Sequence, residues 1–181
     1  MEEIISDYKA LIKQIEKITT IINLRDLLVK IVLILLMGYI VFTFFFGVWR
    51  MNGISMVPSI SDGDLIIFYR LDKQINPGDI VAFNKNGKKH FLRVVATEGQ
   101  IVDITKDGEL LINNHVEENE SFFKTKKAES SSIEFPCKVE KGSVFVISDY
   151  RDDYDDSRSF GTIKVNDIEG KVLSILRTKN V

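Results

Sequence analysis

Apolar positions follow three regimes along the 181 residues. From Ile4 to Ile22 they fall at Ile4, Tyr8, Leu11, Ile15, Ile18 and Ile22, in steps of four and three. That spacing predicts a helix with an apolar seam over about three heptads. Such a seam zips to a partner helix, lies on the inner membrane leaflet, or merely continues the next segment. From Ile31 to Val48 the chain reads IVLILLMGYIVFTFFFGV, 18 residues without a charge. Its length, about 27 Å at 1.5 Å per residue, suits a membrane-spanning helix, which Leu27 to Val29 extend and Trp49 and Arg50 close. After Arg50 the pattern breaks into short β-type runs: DLIIFYRL, IVAFN, FLRVVATEGQIVDI, LLINN, GSVFVIS and GKVLSIL. Turn signals (NPGD, KNGKK, KDGE) separate several of them. The expected architecture is therefore a cytoplasmic amphipathic segment (1–26), a transmembrane helix (27–49) and a mainly β, antiparallel extracytoplasmic domain (50–181).

Charge sets the orientation. Lys9, Lys13, Lys17, Arg25 and Lys30 precede the span and only Arg50 closely follows it. The positive-inside rule places the N-terminus in the cytoplasm of a single-pass protein. A cleavable signal sequence is a poor fit, since the charged region before the span is too long and no small-x-small site follows. With 24 Lys and Arg against 26 Asp and Glu, no nucleic-acid partner is expected. The lone Cys137 excludes an internal disulfide and reads as a small buried hydrophobe.

Four residues past the apolar run begins NGISMVPSISDGD, which puts Ser55 in a turn. A serine hydroxyl becomes a nucleophile only when a neighbouring base takes its proton. Further on stand GDIVAFN, LRVVATEGQIVDI, DGELLINNHVEE and the charged loop SDYRDDYDDSRSFG. In order and spacing, over roughly residues 25–175, these segments resemble the type I signal peptidases, in particular the Gram-positive type. Those are membrane-anchored serine endopeptidases that remove signal peptides from exported proteins. SMVPSI looks like their nucleophile box, and Arg151, Asp156, Ser157, Arg158 and Gly161 fall in register with their most distinctive box. The resemblance implies a β fold, exported preproteins as substrates, a membrane as partner and no cofactor. It makes Ser55 the nucleophile, with Gly53, the Ser55 amide, Met56, Pro58 and residue 92 around an oxyanion and substrate groove.

The family's base is a lysine immediately before an Arg-Val pair. Here the pair is Arg93-Val94 and the residue before it is Leu92. The serine that helps hold that lysine in the family corresponds to Tyr154. On a regular strand His90 points the same way as Leu92 but about 6.6 Å further along, which makes it the candidate substitute base. Lys89 points the other way and is expected in solvent, and His115 is expected to be exposed. The acidic loop lacks the Gly and terminal Glu of a calcium-binding EF-hand, so no metal is expected. Asp149, Arg151, Tyr154, Asp156, Ser157 and Arg158 read instead as a structural network that holds the loop beside the Ser55 turn. Two functions follow: a peptidase using Ser55 with an unusual base, or a protein of the same fold that binds exported chains without cutting them. Signal-peptidase-like proteins that lack the catalytic pair and assist pilus assembly give the second reading a precedent, with pilin-like chains as partners.

Overall fold

The structure, a computed structural model, describes residues 2–117, 124–128 and 133–178, with side chains from residue 11 onward. It divides into two compact units that meet at Phe44 and Phe45.

The first unit is essentially one helix. Helix α1 runs unbroken over Glu2–Phe45, 44 residues, so the amphipathic segment and the apolar run share one element. It stops four residues before the expected end of the span at Trp49. Phe46–Arg50 instead form strand β1, paired antiparallel with β2 (Leu65–Tyr69) from Phe46 opposite Tyr69 to Arg50 opposite Leu65. The pairing selects the strand: a Cβ on Gly47 would lie 2.1 Å from the Phe68 ring, so only glycine lets β1 lie this close to β2. Aromatic and β-branched residues such as Phe46, Val48 and Trp49 suit a pleated surface once that partner is present.

The second unit is built on two antiparallel sheets. β3 (Ile80–Lys85) and β4 (Lys88–Thr97) form a hairpin whose tip, Asn86-Gly87, has φ of 53° and 77°, as a two-residue turn with the strands' own twist requires. β5 (Ile101–Ile104), β6 (Leu110–Ile112), β7 (His115–Val116) and β8 (Cys137–Lys138) make a small sheet in the order β7-β6-β5-β8. β9 (Ser143–Ile147), β10 (Ile163–Lys164) and β11 (Ile168–Leu176) complete the large sheet, β1-β2-β11-β3-β4-β9-β10. A single helical turn, α2 (Ser157–Phe160), lies between β9 and β10.

Two apolar cores lie on either side of β9. Val144 and Val146 belong to the first core with Met56, Ile60, Ile66, Phe68, Val81 and Leu92. Phe145 and Ile147 belong to the second, with Val102, Ile104 and Leu110 of the small sheet. Strand β4 serves both. Its register against β9 shifts between Val94 and Ala96, and Leu92 and Val94 pack in the first core while Val95 and Ala96 pack in the second. One extra residue at that point moves the side-chain sequence to the other face. Cys137 is half-buried against the second core, where burial pushes its thiol pKa up.

Candidate functional site

The Ser55 turn joins β1 to β2 and is pinned from below. Met56 and Ile60 are fully buried, and Ile60 N–H donates to Met56 O at 2.8 Å. Its base is closed by Met51 N–H to Asp64 O (2.7 Å) and Gly63 N–H to Met51 O (3.0 Å). Gly53, at φ 102°, donates its N–H to Asp62 Oδ1 at 2.8 Å and has open space where a side chain would stand. That backbone conformation suits glycine.

Ser55 borders a cleft of about 220 Å³, lined from the end of β1 and its turn by Trp49, Met51, Gly53 and Ile54, from the start of β4 by Lys88, Lys89 and His90, and from the acidic loop by Asp153 and Asp155. The cleft is more polar than a simple apolar groove, because the start of β4 and the acidic loop both face it. The Ser55 hydroxyl has no hydrogen-bond partner among the described residues. Its carbonyl accepts the Tyr150 N–H at 2.9 Å, which ties the turn to the acidic loop.

Of the groove residues expected from the sequence, Gly53 and Ser55 line the cleft. Pro58, which follows a cis Val57–Pro58 peptide, is exposed and does not line it, and Met56 and Leu92 do not line it either, being buried in the first core, 0% and 1% exposed. His90 does line the cleft. Its ring stacks on Phe83 (centroids 5.2 Å apart, planes at 13°) and meets Phe160 edge-on. His90 Nδ1 is 4.0 Å from Asp155 Oδ2, and Lys88 Nζ holds that same oxygen at 2.5 Å. Burial lowers the His90 pKa below its ordinary value, against the pull of Asp155 and Asp153 and with the help of Lys88.

An imidazole with an unfolded pKa of about 6.5 takes up its proton first in the unfolded chain, since the folded value is lower. Stability is therefore full above about pH 6.5 and falls as the pH drops through that value towards the folded pKa. Thermal unfolding between pH 8 and 5 should show the midpoint falling on the acid side. His90→Phe, which keeps a ring against Phe83, should flatten that limb; an unchanged slope would remove His90 as its source.

Lys89 does not lie in solvent. Its side chain is 13% exposed, its Nζ is 2.6 Å from Glu169 Oε2, and it lies over the rings of Trp49 (4.9 Å) and Phe68 (5.5 Å). The partners explain the correction: Trp49 became available when β1 formed, and Glu169 comes from β11, 80 residues away. His115 is exposed on β7.

The acidic loop is built around two arginine–carboxylate pairs. Arg158 and Asp156 are both fully buried, with Nη2 2.8 Å from Oδ2. Arg158 also donates to the carbonyls of Arg151 (2.7 Å) and Asp153 (2.5 Å), and its guanidinium lies 4.4 Å from the Tyr154 ring. Asp156 caps α2 through Arg158 N–H and accepts Ser148 N–H at 2.9 Å, while Ser157 Oγ accepts Val146 N–H at 3.0 Å. The second pair was not singled out from the sequence. Arg93 grips Asp149 with two bonds of 2.6 and 2.7 Å and reaches Ser59 Oγ at 3.0 Å, joining β4, the loop and the Ser55 turn. The Arg-Val pair after Leu92 was its visible signal. Arg151 Nη2 is 3.7 Å from Glu117 Oε2, and its buried Nε and Nη1 make no hydrogen bond among the described residues.

Fold and site together define a class: a mainly antiparallel β protein behind one long apolar N-terminal helix, with a serine at the rim of a cleft and a buried arginine–aspartate loop bonded to the serine's turn. Comparison with known proteins agrees. Residues 24–176 match the signal peptidase family, peptidase S26, and the chain belongs to that family. It is 29% identical to signal peptidase I of Bacillus caldolyticus over 71% of this chain and 78% of that one. Signal peptidase I T of Bacillus subtilis is 32% identical, over 71% of this chain and 72% of its own. A protein named inactive signal peptidase IA, from Staphylococcus aureus, is 25% identical over 65% of this chain and 71% of its own.

Proposed function

We propose that this member of the signal peptidase family holds segments of exported chains in the Ser55 cleft at the outer face of the cell membrane and does not cut them. One observation carries the reading: the lysine that serves as base in the resembled family is replaced here by leucine. Leu92 stands where the family resemblance puts the lysine, packed in the first core and unable to take a proton. Tyr154 stands where that lysine's hydroxyl partner would be, its ring on Arg158. The relative named as inactive supports the reading that the family includes such members. In this reading α1 crosses the membrane, the lysines before it lie in the cytoplasm, and exported surface proteins such as pilins are the chains held.

The test uses the full-length protein in detergent with a fluorescent preprotein. Binding without product is expected, and Ser55→Ala should bind as well as the wild type. Product that disappears in Ser55→Ala would overturn the reading.

A second reading rests on His90, which shares the cleft with Ser55 and whose lowered pKa leaves it neutral near pH 7. A neutral imidazole within reach of Ser55 Oγ would serve as general base. In that case wild-type protein would cleave and His90→Ala would not.

A further inference from the structure

Neither reading of the cleft uses the apolar seam that precedes the span. We propose that residues 11–24 of α1 associate with the same segment of further copies of this chain, as a parallel bundle of three helices; this rests on the reading that α1 crosses a membrane.

The seam is open. Leu11, Ile15, Ile18 and Ile22, spaced by fours and threes, are 43–57% exposed, and Ile12 and Ile21 extend the apolar surface on its two flanks. A stripe of this width, placed in water, needs cover.

The membrane surface cannot supply it. An amphipathic helix resting on a leaflet has to turn where the spanning segment begins. α1 does not turn: it is one helix over Glu2–Phe45, with neither Gly nor Pro between Leu11 and Met37. At 1.5 Å per residue, Leu11 stands roughly 28 Å along the axis from Lys30. The seam therefore projects away from the bilayer.

Its charges point to a copy of itself. Lys13, Glu16 and Lys17 all lie on the side opposite the seam, while the flanking positions carry Ile12, Gln14, Thr19 and Ile21. Charged flanks are what select a different helix or reject an identical one. Here nothing selects and nothing repels. Thr19, on one flank, bonds its hydroxyl to Ile15 O at 2.9 Å and so can sit beside an apolar contact without an unmet donor. Copies inserted the same way into one membrane arrive parallel and level, so each seam residue meets its own counterpart. Isoleucine in both rows of the seam, with apolar flanks, favours three strands over two. The seam ends at Arg25, whose guanidinium is bonded to its own Asp26 at 3.0 and 3.2 Å.

Cysteine cross-linking in native vesicles tests this, after Cys137→Ser removes the natural thiol. Ile15→Cys, Ile18→Cys and Ile22→Cys should each give disulfide-linked pairs on mild oxidation, at least tenfold more than Lys13→Cys and Thr20→Cys on the opposite side. The wild-type protein in a mild detergent should have the mass of three chains, and Ile18→Glu the mass of one. Equal cross-linking on both sides, or none, in protein that survives an alkaline wash of the vesicles overturns self-association. A two-chain mass overturns the three-helix form. Release by the alkaline wash would overturn the spanning reading of α1 and this proposal with it.

Discussion

If the cleft binds without cutting, Leu92→Lys combined with Tyr154→Ser should yield a protein that cleaves a labelled preprotein. The replacement amine would start from an interior position in the first core, which also holds Met56, the residue that follows Ser55 in the chain. Burial in that apolar setting pulls a lysine pKa down from about 10.4 by up to several units, which provides the neutral amine a general base must be. Positioned acid–base catalysis is worth about 10² to 10⁴ in rate, so an imperfectly held lysine should still rise above background. Tyr154→Ser supplies the hydroxyl that the family resemblance implies at that position and removes a ring that lies 4.4 Å from the Arg158 guanidinium. Adding Ser55→Ala to the pair should abolish the gain. A double variant that is folded and still binds, yet yields no product, would mean that the cleft has diverged beyond its base.

Arg158→Met should cost about 3–5 kcal/mol of stability, because it leaves the Asp156 carboxylate buried without its counter-charge. Both partners are fully buried, so water cannot replace the lost bonds. The damage would spread, since Asp156 also accepts Ser148 N–H and caps α2, and Arg158 holds the carbonyls of Arg151 and Asp153. Lys88→Ala is the comparison. It breaks an ion pair to Asp155 whose side chains are 65% and 44% exposed, and should cost less than about 1 kcal/mol. Urea unfolding midpoints of the two variants would read the contrast. Equal, small losses would show the Arg158–Asp156 pair to be dispensable.

What could be read in advance was whatever local sequence controls. LIIFY is a short run rich in β-branched and aromatic residues and forms β2, buried alternately. The Asn-Gly step in KNGKK made the β3–β4 turn, because few other dipeptides accept two positive φ values. The order of the boxes sufficed for the family, and Ser55 with His90 did reach one cleft. Contacts distant in sequence were not legible. Phe46–Val48 continues the apolar run of the helix before it, and only the pairing with β2 makes it part of a strand. Lys89 is drawn indoors by Trp49 and Glu169, and Arg93 by Asp149, partners whose positions depend on the finished sheet. Leu92 is absent from the cleft wall because the strand carries its side chain into the first core.

The helix-to-strand change at Phe46 decides where the chain can be cut. Hydropathy alone suggests trimming at Arg50, where the apolar run has ended. A soluble form begun there would lose β1, and with it the strand bonded to β2 at the border of the large sheet. β2 would then present its own backbone N–H and C=O groups to neighbouring molecules, the arrangement that seeds edge-to-edge aggregation. It would also lose Trp49, one wall of the cleft and the ring beneath Lys89. The smallest piece that keeps the sheet and the cleft whole begins at Phe46, inside what reads as the membrane anchor.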